Sequence, residues 1–489
     1  MLFFSPPMQF NLNAAGAGGV ALIPEYWYIA MIDDEGYGQN PAPTTSDADG
    51  NIYFANNLGS GHSQGYGLQD GLITKIDKSG NLLWQVQFGS TNNDTTRGVQ
   101  VDSQGNVYGL VRIDYNGSTQ LQAAHLFKLN SDGVLQWQRM LKNSTYDVTA
   151  YDIAIDSNDN LYTCGQITAI NGGTGAAGGY ISKHNSSGTL QWKKDLDGAG
   201  EPTLLTSLDI SSDDTIIAVG RSQFGLTGTH IDFAIAMSLD TDGNTNWIRK
   251  YGTGNTAQTT TYEFAKVKID PNDGLSFYAN ATFRSTGAGV LKASMADGSK
   301  TWARTIDHAG GTVAIHAQAR PQIASNGDVY VPFNDRAEKA SGASFSDTGM
   351  AIWNSSGTNL EILTYGGNYD PGASGHNGSD ATTGFELHRD GSVMWCIQSR
   401  NVTGDADGSV NGYLVKLPLD YTQWPASFDN LTKYTGGSFT EAAGNTSGEG
   451  SISPTWAAAS GTDLSEAAGV FSGPQSLTTG NFTIGSVGL

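Results

Sequence analysis

Lys75-Ile76-Asp77-Lys78-Ser79-Gly80-Asn81-Leu82-Leu83-Trp84 is a polar turn that runs into a short apolar stretch ending in tryptophan, and the chain repeats it. Matches occupy 128–137, 183–192, 239–247 and 292–302, ending in Trp137, Trp192, Trp247 and Trp302. At 354–361 the tryptophan is replaced, and 416–424 is a degraded copy ending in Trp424. From Trp84 to Trp302 the well-kept tryptophans are almost evenly spaced, with a period of about 55 residues. Self-similarity at such a period signals a repeat architecture. A second phrase shares the period, an Asp/Asn/Gly turn followed by an apolar strand. It reads Asp47-Ala48-Asp49-Gly50-Asn51-Ile52-Tyr53 and Asp102-Ser103-Gln104-Gly105-Asn106-Val107-Tyr108, and returns around 156–162, 212–216, 272–274, 325–330 and 389–393, seven copies in all.

Between the two phrases each period holds four short strand signals, seen in one unit at 98–102, 106–113, 125–129 and 134–140. No helical periodicity competes. Four strands per unit, repeated radially, predict an all-β, seven-bladed β-propeller with four-stranded blades. The first phrase makes the turn between the third and outer strands, the second the turn between the first two, and Gly and Asn supply the positive φ such turns need. The recurring tryptophan offers a flat surface to seal one blade against the next. The blade-sealing set is Trp27, Trp84, Trp137, Trp192, Trp247, Trp302 and Trp424.

Ring closure leaves two alternatives. Tyr26-Trp27-Tyr28-Ile29-Ala30-Met31-Ile32 looks like an orphan outer strand, with Trp27 one period before Trp84, that the N-terminus donates to the last blade. Trp424 also marks an outer strand, which makes eight candidates for seven blades. Either Trp424 begins an exit segment or Trp27 belongs to the N-terminal arm. The organisation read from the sequence is an N-terminal docking arm at 1–24, a propeller at 25–425 and a β-rich extension at 426–489. The extension carries its own echo, Thr440-Glu441-Ala442-Ala443-Gly444 and then Ser465-Glu466-Ala467-Ala468-Gly469. It has little core of its own and is expected to pack on the propeller or on another chain.

The repeat units resemble SBBP-type bacterial β-propeller repeats over about 25–425. Strings of such repeats with a Tyr-Trp-x-Ile-Ala-like opening are also similar to uncharacterised virion proteins of bacteriophages. The first resemblance implies the fold, and the second implies a structural place in a phage particle. Propellers host many functions, so neither names a ligand.

Composition narrows the function. The 489 residues carry 26 Lys and Arg against 47 Asp and Glu, a formal charge of −21. Phosphate-backbone binding needs a basic patch, so nucleic acid is excluded as the expected partner. No run of about 18 apolar residues occurs, so no membrane insertion is expected. The start, Met1-Leu2-Phe3-Phe4-Ser5-Pro6-Pro7, has neither the basic nor the continuous apolar region of a secretory signal. Two cysteines, Cys164 and Cys396, fall at equivalent places in the third and seventh blades, too far apart on a ring to pair.

Candidate chemistry is sparse. Gly61-His62-Ser63-Gln64-Gly65 matches a nucleophile elbow without the strand–turn–helix context that motif needs. Asp47-x-Asp49-Gly50, Asp156-x-Asn158-x-Asn160 and Asp240-x-Asp242-Gly243 open like calcium loops, but Leu58, Ile167 and Tyr251 stand where a bidentate Glu belongs. These residues read as turn formers. His62, His125, His184, His230, His308, His316, His376 and His388 are scattered, without zinc spacing. Quinoprotein-like propeller enzymes share Trp-sealed blades, but need an adjacent Cys pair or a carboxylate with calcium. No catalytic residue, metal or cofactor is therefore expected. Long loops around 171–179, 334–348 and 366–383, rich in Gly, Ser, Asn and Asp, are the usual place for binding. The expected function is a non-enzymatic bacteriophage virion structural protein in a tail, fibre or capsid appendage. Its expected partners are other virion proteins, held through the two non-repeat ends, and a host-surface glycan. The alternative is a secreted or surface carbohydrate-binding propeller, and behind it a propeller enzyme.

Overall fold

The computed structural model describes residues 27–31, 44–58, 69–90, 92–116, 121–142, 146–169, 178–196, 203–222, 233–251, 263–284, 287–308, 311–314, 319–337, 347–367, 381–388, 390–399 and 411–425, and the short stretches 427–428, 431–435, 439–443, 450–451 and 465–468. They form seven antiparallel sheets arranged as the blades of a propeller. Blades 1 to 7 span 44–88, 94–142, 146–196, 203–251, 263–308, 311–367 and 381–418. First strands of neighbouring blades contact one another and so line the axis, as between Tyr146–Ile155 and Thr203–Ile210. Outer strands form the rim.

The two sequence phrases become two tight turns. In blade 2 the first turn closes with Gly105 N–H donating to Asp102 O at 3.1 Å, and the second with Gly133 N–H donating to Asn130 O at 3.0 Å. Strands alternate their side chains between neighbouring blades. Apolar residues on both faces are therefore buried, as in Asp347–Trp353, where every position is buried. The core is accordingly a series of clusters between blades. One joins Val86, Phe88, Phe127 and Met140 of blades 1 and 2, with Phe88 and Phe127 stacked 4.0 Å apart.

The closure alternatives are resolved by register. Trp27–Met31 pairs with Asn411–Pro418 as the outer strand of blade 7, with Trp27 opposite Lys416. Lys75 stands opposite Trp84, and Lys128 opposite Trp137, in the same way. A strand from near the N-terminus thus completes the last blade. Trp424 does not mark an outer strand. It caps the short 3-10 turn Tyr421–Gln423 and begins the exit from the ring. Residues 1–24 lie outside the described residues.

The segments after 426 add strands to the rim. Leu431–Thr435, hairpinned to Ser427–Phe428, pairs with the outer strand of blade 6. Phe439–Ala443 pairs with blade 5, Gly450–Ser451 with blade 4 and Ser465–Ala468 with blade 2. The chain therefore runs backwards around the ring, and both copies of the Glu-Ala-Ala echo take the same kind of place on different blades. Added strands satisfy the outward N–H and C=O groups that a bare edge would offer to another chain.

Candidate functional site

The tight turns and the axial wall use their charges differently. On the tight-turn face the calcium-like carboxylates are already engaged. One Asp47 oxygen accepts the N–H groups of Asp49 and Asn51 at 3.0 and 2.9 Å. The other accepts Asn51 Nδ2 and the Tyr53 hydroxyl, both at 2.8 Å, with Lys75 Nζ 3.8 Å away. Asp156 repeats this with Asn160, Tyr162 and Lys183, and Asp102 with Asn106 and Lys128, whose Nζ lies 3.0 Å from the carboxylate. Burial alone would raise the Asp47 pKa, but hydrogen bonds from Asn51 and Tyr53 and the charge of Lys75 hold it below its ordinary value. A lysine thus stands beside each of these three turn carboxylates. Among the described residues no group of three or more His, Cys, Asp or Glu is placed to hold a metal ion.

The tryptophans sit at the rim, over the gaps between blades. Trp84, Trp137, Trp192, Trp247 and Trp302 donate Nε1–H to Ser131 O, Ser186 O, Thr241 O, Met295 O and Ser355 O of the following blade at 2.9–3.0 Å. Lys75 and Lys183 reach the same carbonyls as their blade's tryptophan, each at 3.2 Å. Lys416 makes the corresponding contact from blade 7 to Lys78 O of blade 1 at 3.5 Å, across the closure. The glycine of the next blade's turn lies on the indole. Gly188 has φ 77°, and a Cβ there would stand 2.6 Å from Trp137, so only glycine fits. Trp424 differs: its Nε1–H donates to Pro418 O at 2.8 Å and its ring lies 5.7 Å from that of Trp395. Trp353 and Trp395 are fully buried and outside the tryptophan period. A search tuned to the period passes over them, and their only signal is an aromatic inside an apolar run.

The axial wall holds the groups that sequence reading missed. The first strands of five blades carry a β-bulge at one place, leaving Arg97, Tyr151, Thr206, Ala265 and Thr383 unpaired in register. Bulges re-aim side chains. Just beyond them, charges from four blades meet. The Asp152 carboxylate of blade 3 lies 2.8 Å from Arg320 Nη2 of blade 6 and 3.3 Å from Lys266 Nζ of blade 5. It also accepts the Ser207 hydroxyl of blade 4. Arg320 Nη1 donates to Leu208 O and Val267 O at 2.9 and 3.1 Å and stands 3.7 Å from Asp209, which Lys268 approaches to 3.5 Å. Burial would raise the Asp152 pKa, but Arg320 and Lys266 hold it below its usual value, so it stays ionised. No sequence motif marks this cluster, because each of its members belongs to a different stretch of the chain and meets the others only across the axis.

The charges of three further arginines act on Tyr151. Burial raises the tyrosine's pKa, and the charges of Arg97, Arg221 and Arg112 oppose that rise. Arg221 is paired with Glu263 at 3.4 Å, and Arg112 reaches Thr95 Oγ1 at 3.4 Å. The Nε atoms of Arg97 and Arg112 are buried without a hydrogen-bond partner among the described residues. This arrangement suits an oxyanion, since guanidinium groups recognise carboxylates and phosphates through paired N–H groups.

Between blades 1 and 2, Asp94 is fully buried and accepts hydrogen bonds from the Ser90 amide and hydroxyl. Burial and the nearby Asp70 and Asp114 charges push its pKa up to about 7. A carboxyl with a raised folded pKa favours folding fully below its unfolded pKa and loses that contribution as pH rises through the folded value. Stability should therefore fall between about pH 4 and 7 on account of this group. Asp94→Asn should melt at a higher temperature than the parent at pH 8 and flatten this part of the profile. Equal melting temperatures at pH 8 would refute the assignment.

The remaining candidates separate. The Gly61–Gly65 motif, the centres of the three long loops, and His62, His230, His316 and His376 lie outside the described residues. Cys164 and Cys396 are free and buried on separate blades, each opposite the residue just after a bulge. His125 and His184 are buried apart from one another, and burial pulls them down to about 3 and 4.

No family model and no curated protein matches the chain. The β-propeller domain of the Trilobed protease from Pyrococcus furiosus is similar at 10% identity and TM-score 0.44, over 79% of this chain and 97% of that one. The phage phi92 endosialidase is similar at 10% identity and TM-score 0.38, over 82% and 70%. An apocarotenoid oxygenase from Synechocystis is similar at 12% identity and TM-score 0.34, over 70% and 94%. Among the described residues no helix is long and apolar enough to cross a membrane.

Proposed function

We propose that this chain is a non-enzymatic structural protein of a bacteriophage particle, a propeller ring in a tail, fibre or capsid appendage. The observation that supports this reading is how the ring uses its buried charges. Asp152, Asp209, Lys266, Lys268 and Arg320 bind one another across four blades, and Asp47, Asp102 and Asp156 bind their own turns and lysines. Groups so engaged hold a disc rigid. The resemblance of the repeats to those of phage virion proteins supports that location. The arm at 1–24 anchors the disc on other virion proteins. Quantitative proteomics of density-purified phage particles tests the proposal. A fixed copy number near a multiple of a tail or capsid symmetry is expected, and absence from particles would overturn it.

A second reading, a glycan-binding propeller at a cell or host surface, is favoured by Arg97 and Arg112. Their buried Nε atoms, without a hydrogen-bond partner among the described residues, suit the carboxylate of an acidic sugar. A glycan array should then show acidic glycans bound over neutral ones, with binding lost in Arg97→Ala. Equal signals on both classes would remove this reading.

A further inference from the structure

One face of blade 2 gathers charges of both signs at its seam with blade 3. Arg112 and Asp114 are two places apart on the strand Val107–Asn116, so they share a face with Tyr108 and Leu110. Tyr108 and Leu110 pack with Ile167 and Tyr180 in the apolar cluster between blades 2 and 3, so this face looks to blade 3. Arg97 joins from the first strand. Its neighbour Thr95 stands opposite Arg112, whose Nη2 reaches Thr95 Oγ1 at 3.4 Å, and the bulge releases Arg97 from the ladder two places on. The Arg97 charge acts on Arg112 and on Tyr151 of blade 3. Asp147 of blade 3 accepts the amide of Gln122 at 2.8 Å, and Gln122 is the residue opposite Asp114.

The seam thus sets like charge beside like charge. Burial first, and then the charge of Arg112, pull the Arg97 pKa below its ordinary value. Burial raises the pKa of Asp114, and the charge of Asp147 adds to that rise against the pull of Arg112. The Nε atoms of Arg97 and Arg112 and Oδ1 of Asp114 are closed from water with no hydrogen-bond partner among the described residues. All three side chains are only half-buried, so their remaining atoms stay open to a ligand. Desolvated charges of this kind are unfavourable until an opposite charge offsets them. A simple anion offsets the arginines but adds repulsion at Asp114 and Asp147, and a simple cation does the reverse. A ligand that carries both charges offsets both pairs.

We infer that the seam between blades 2 and 3 binds a zwitterion, with its carboxylate on Arg97 and Arg112 and its ammonium on Asp114 and Asp147. The carboxylate half rests on the glycan-binding reading above. The ammonium half is new, and it narrows that ligand to an acidic sugar that also bears a protonated amine. Guanidinium groups take a carboxylate through paired N–H donors, and carboxylates accept ammonium N–H groups, so each contact is charge-assisted. Arg112 and Asp114 stand about 7 Å apart along their strand, which matches charges a few bonds apart in one small molecule or sugar residue.

Three matched probes test this on the full chain by isothermal titration calorimetry at low salt: 4-aminobutanoate, butanoate and butylammonium. 4-Aminobutanoate should bind about ten-fold more tightly than either singly charged analogue, the gain of one charge-assisted hydrogen bond. Arg97→Ala should abolish binding of both carboxylates, and Asp114→Asn should bring 4-aminobutanoate down to the affinity of butanoate. The comparison of the three probes on the parent protein needs no variant, so it decides the matter even where a variant does not fold. Equal affinities of the parent for butanoate and 4-aminobutanoate would overturn the inference and leave the carboxylate site of the glycan reading standing. Absence of 4-aminobutanoate binding would overturn it too. The glycan reading fails by a different result, equal array signals for acidic and neutral glycans, so the two failures are distinguishable.

Discussion

Asp152→Ala should destabilise the protein by about 3–5 kcal/mol, because it leaves Lys266 buried without its counter-ion and Arg320 with Asp209 alone, 3.7 Å away. Asp152 is the hub of the axial cluster, touching residues of blades 4, 5 and 6 from blade 3. The loss therefore reaches across the ring. Chemical denaturation of the two proteins measures it, and a difference under about 1 kcal/mol would refute the hub role. Asp152→Ala combined with Lys266→Met and Arg320→Leu should recover much of the loss, since apolar replacement of a buried ion triad is often neutral and Asp209 keeps Lys268 at 3.5 Å. The pH dependence has a definite sign. The folded pKa of Asp152 lies below its unfolded value, so its contribution is present above about pH 4 and disappears as pH falls through the folded value.

Trp302→Ala should cost about 3 kcal/mol and Trp84→Ala roughly half as much. The two tryptophans make the same bond to the next blade, but Trp302 is 8% exposed and Trp84 is only partly buried. A uniform cost of about 3–5 kcal/mol would hold only for full burial, which these rim positions do not have. Trp302→Phe should fall between parent and alanine variant, keeping ring contact with Gly357 while losing about 1 kcal/mol with the hydrogen bond to Ser355 O. Thermal melts of the three variants check the order. Equal melting temperatures for Trp84→Ala and the parent would separate this tryptophan from blade sealing.

Much of the ring was legible because its determinants are local. A turn such as Asp102 to Asn106 closes on itself within a few residues, so its Asp, Gly and Asn are visible as a phrase and recur once per blade. The tryptophan marks the rim because its partner is the next copy of the same phrase. The outer strand at Trp27–Met31 was visible as a strand but not as a partner. Its assignment needed the register of Trp27 on Lys416, which fixes it in blade 7 and releases Trp424 to the exit turn. The echo at 440–444 and 465–469 was visible too, but as a repeat without a place.

The sequence by itself determined the all-β class, the four-stranded unit, the seven copies and the turns that join their strands. Period, turn chemistry and strand patterning are short-range properties, repeated until they are unmistakable. Only the tertiary structure decided which strand closes the ring, where the segments after 426 lie, and that Asp152, Lys266 and Arg320 meet. Those contacts join residues far apart in the chain. A charged residue on an inner strand carries the same local signal whether it faces solvent or a counter-ion three blades away, so its role appears only once the blades are brought around the axis.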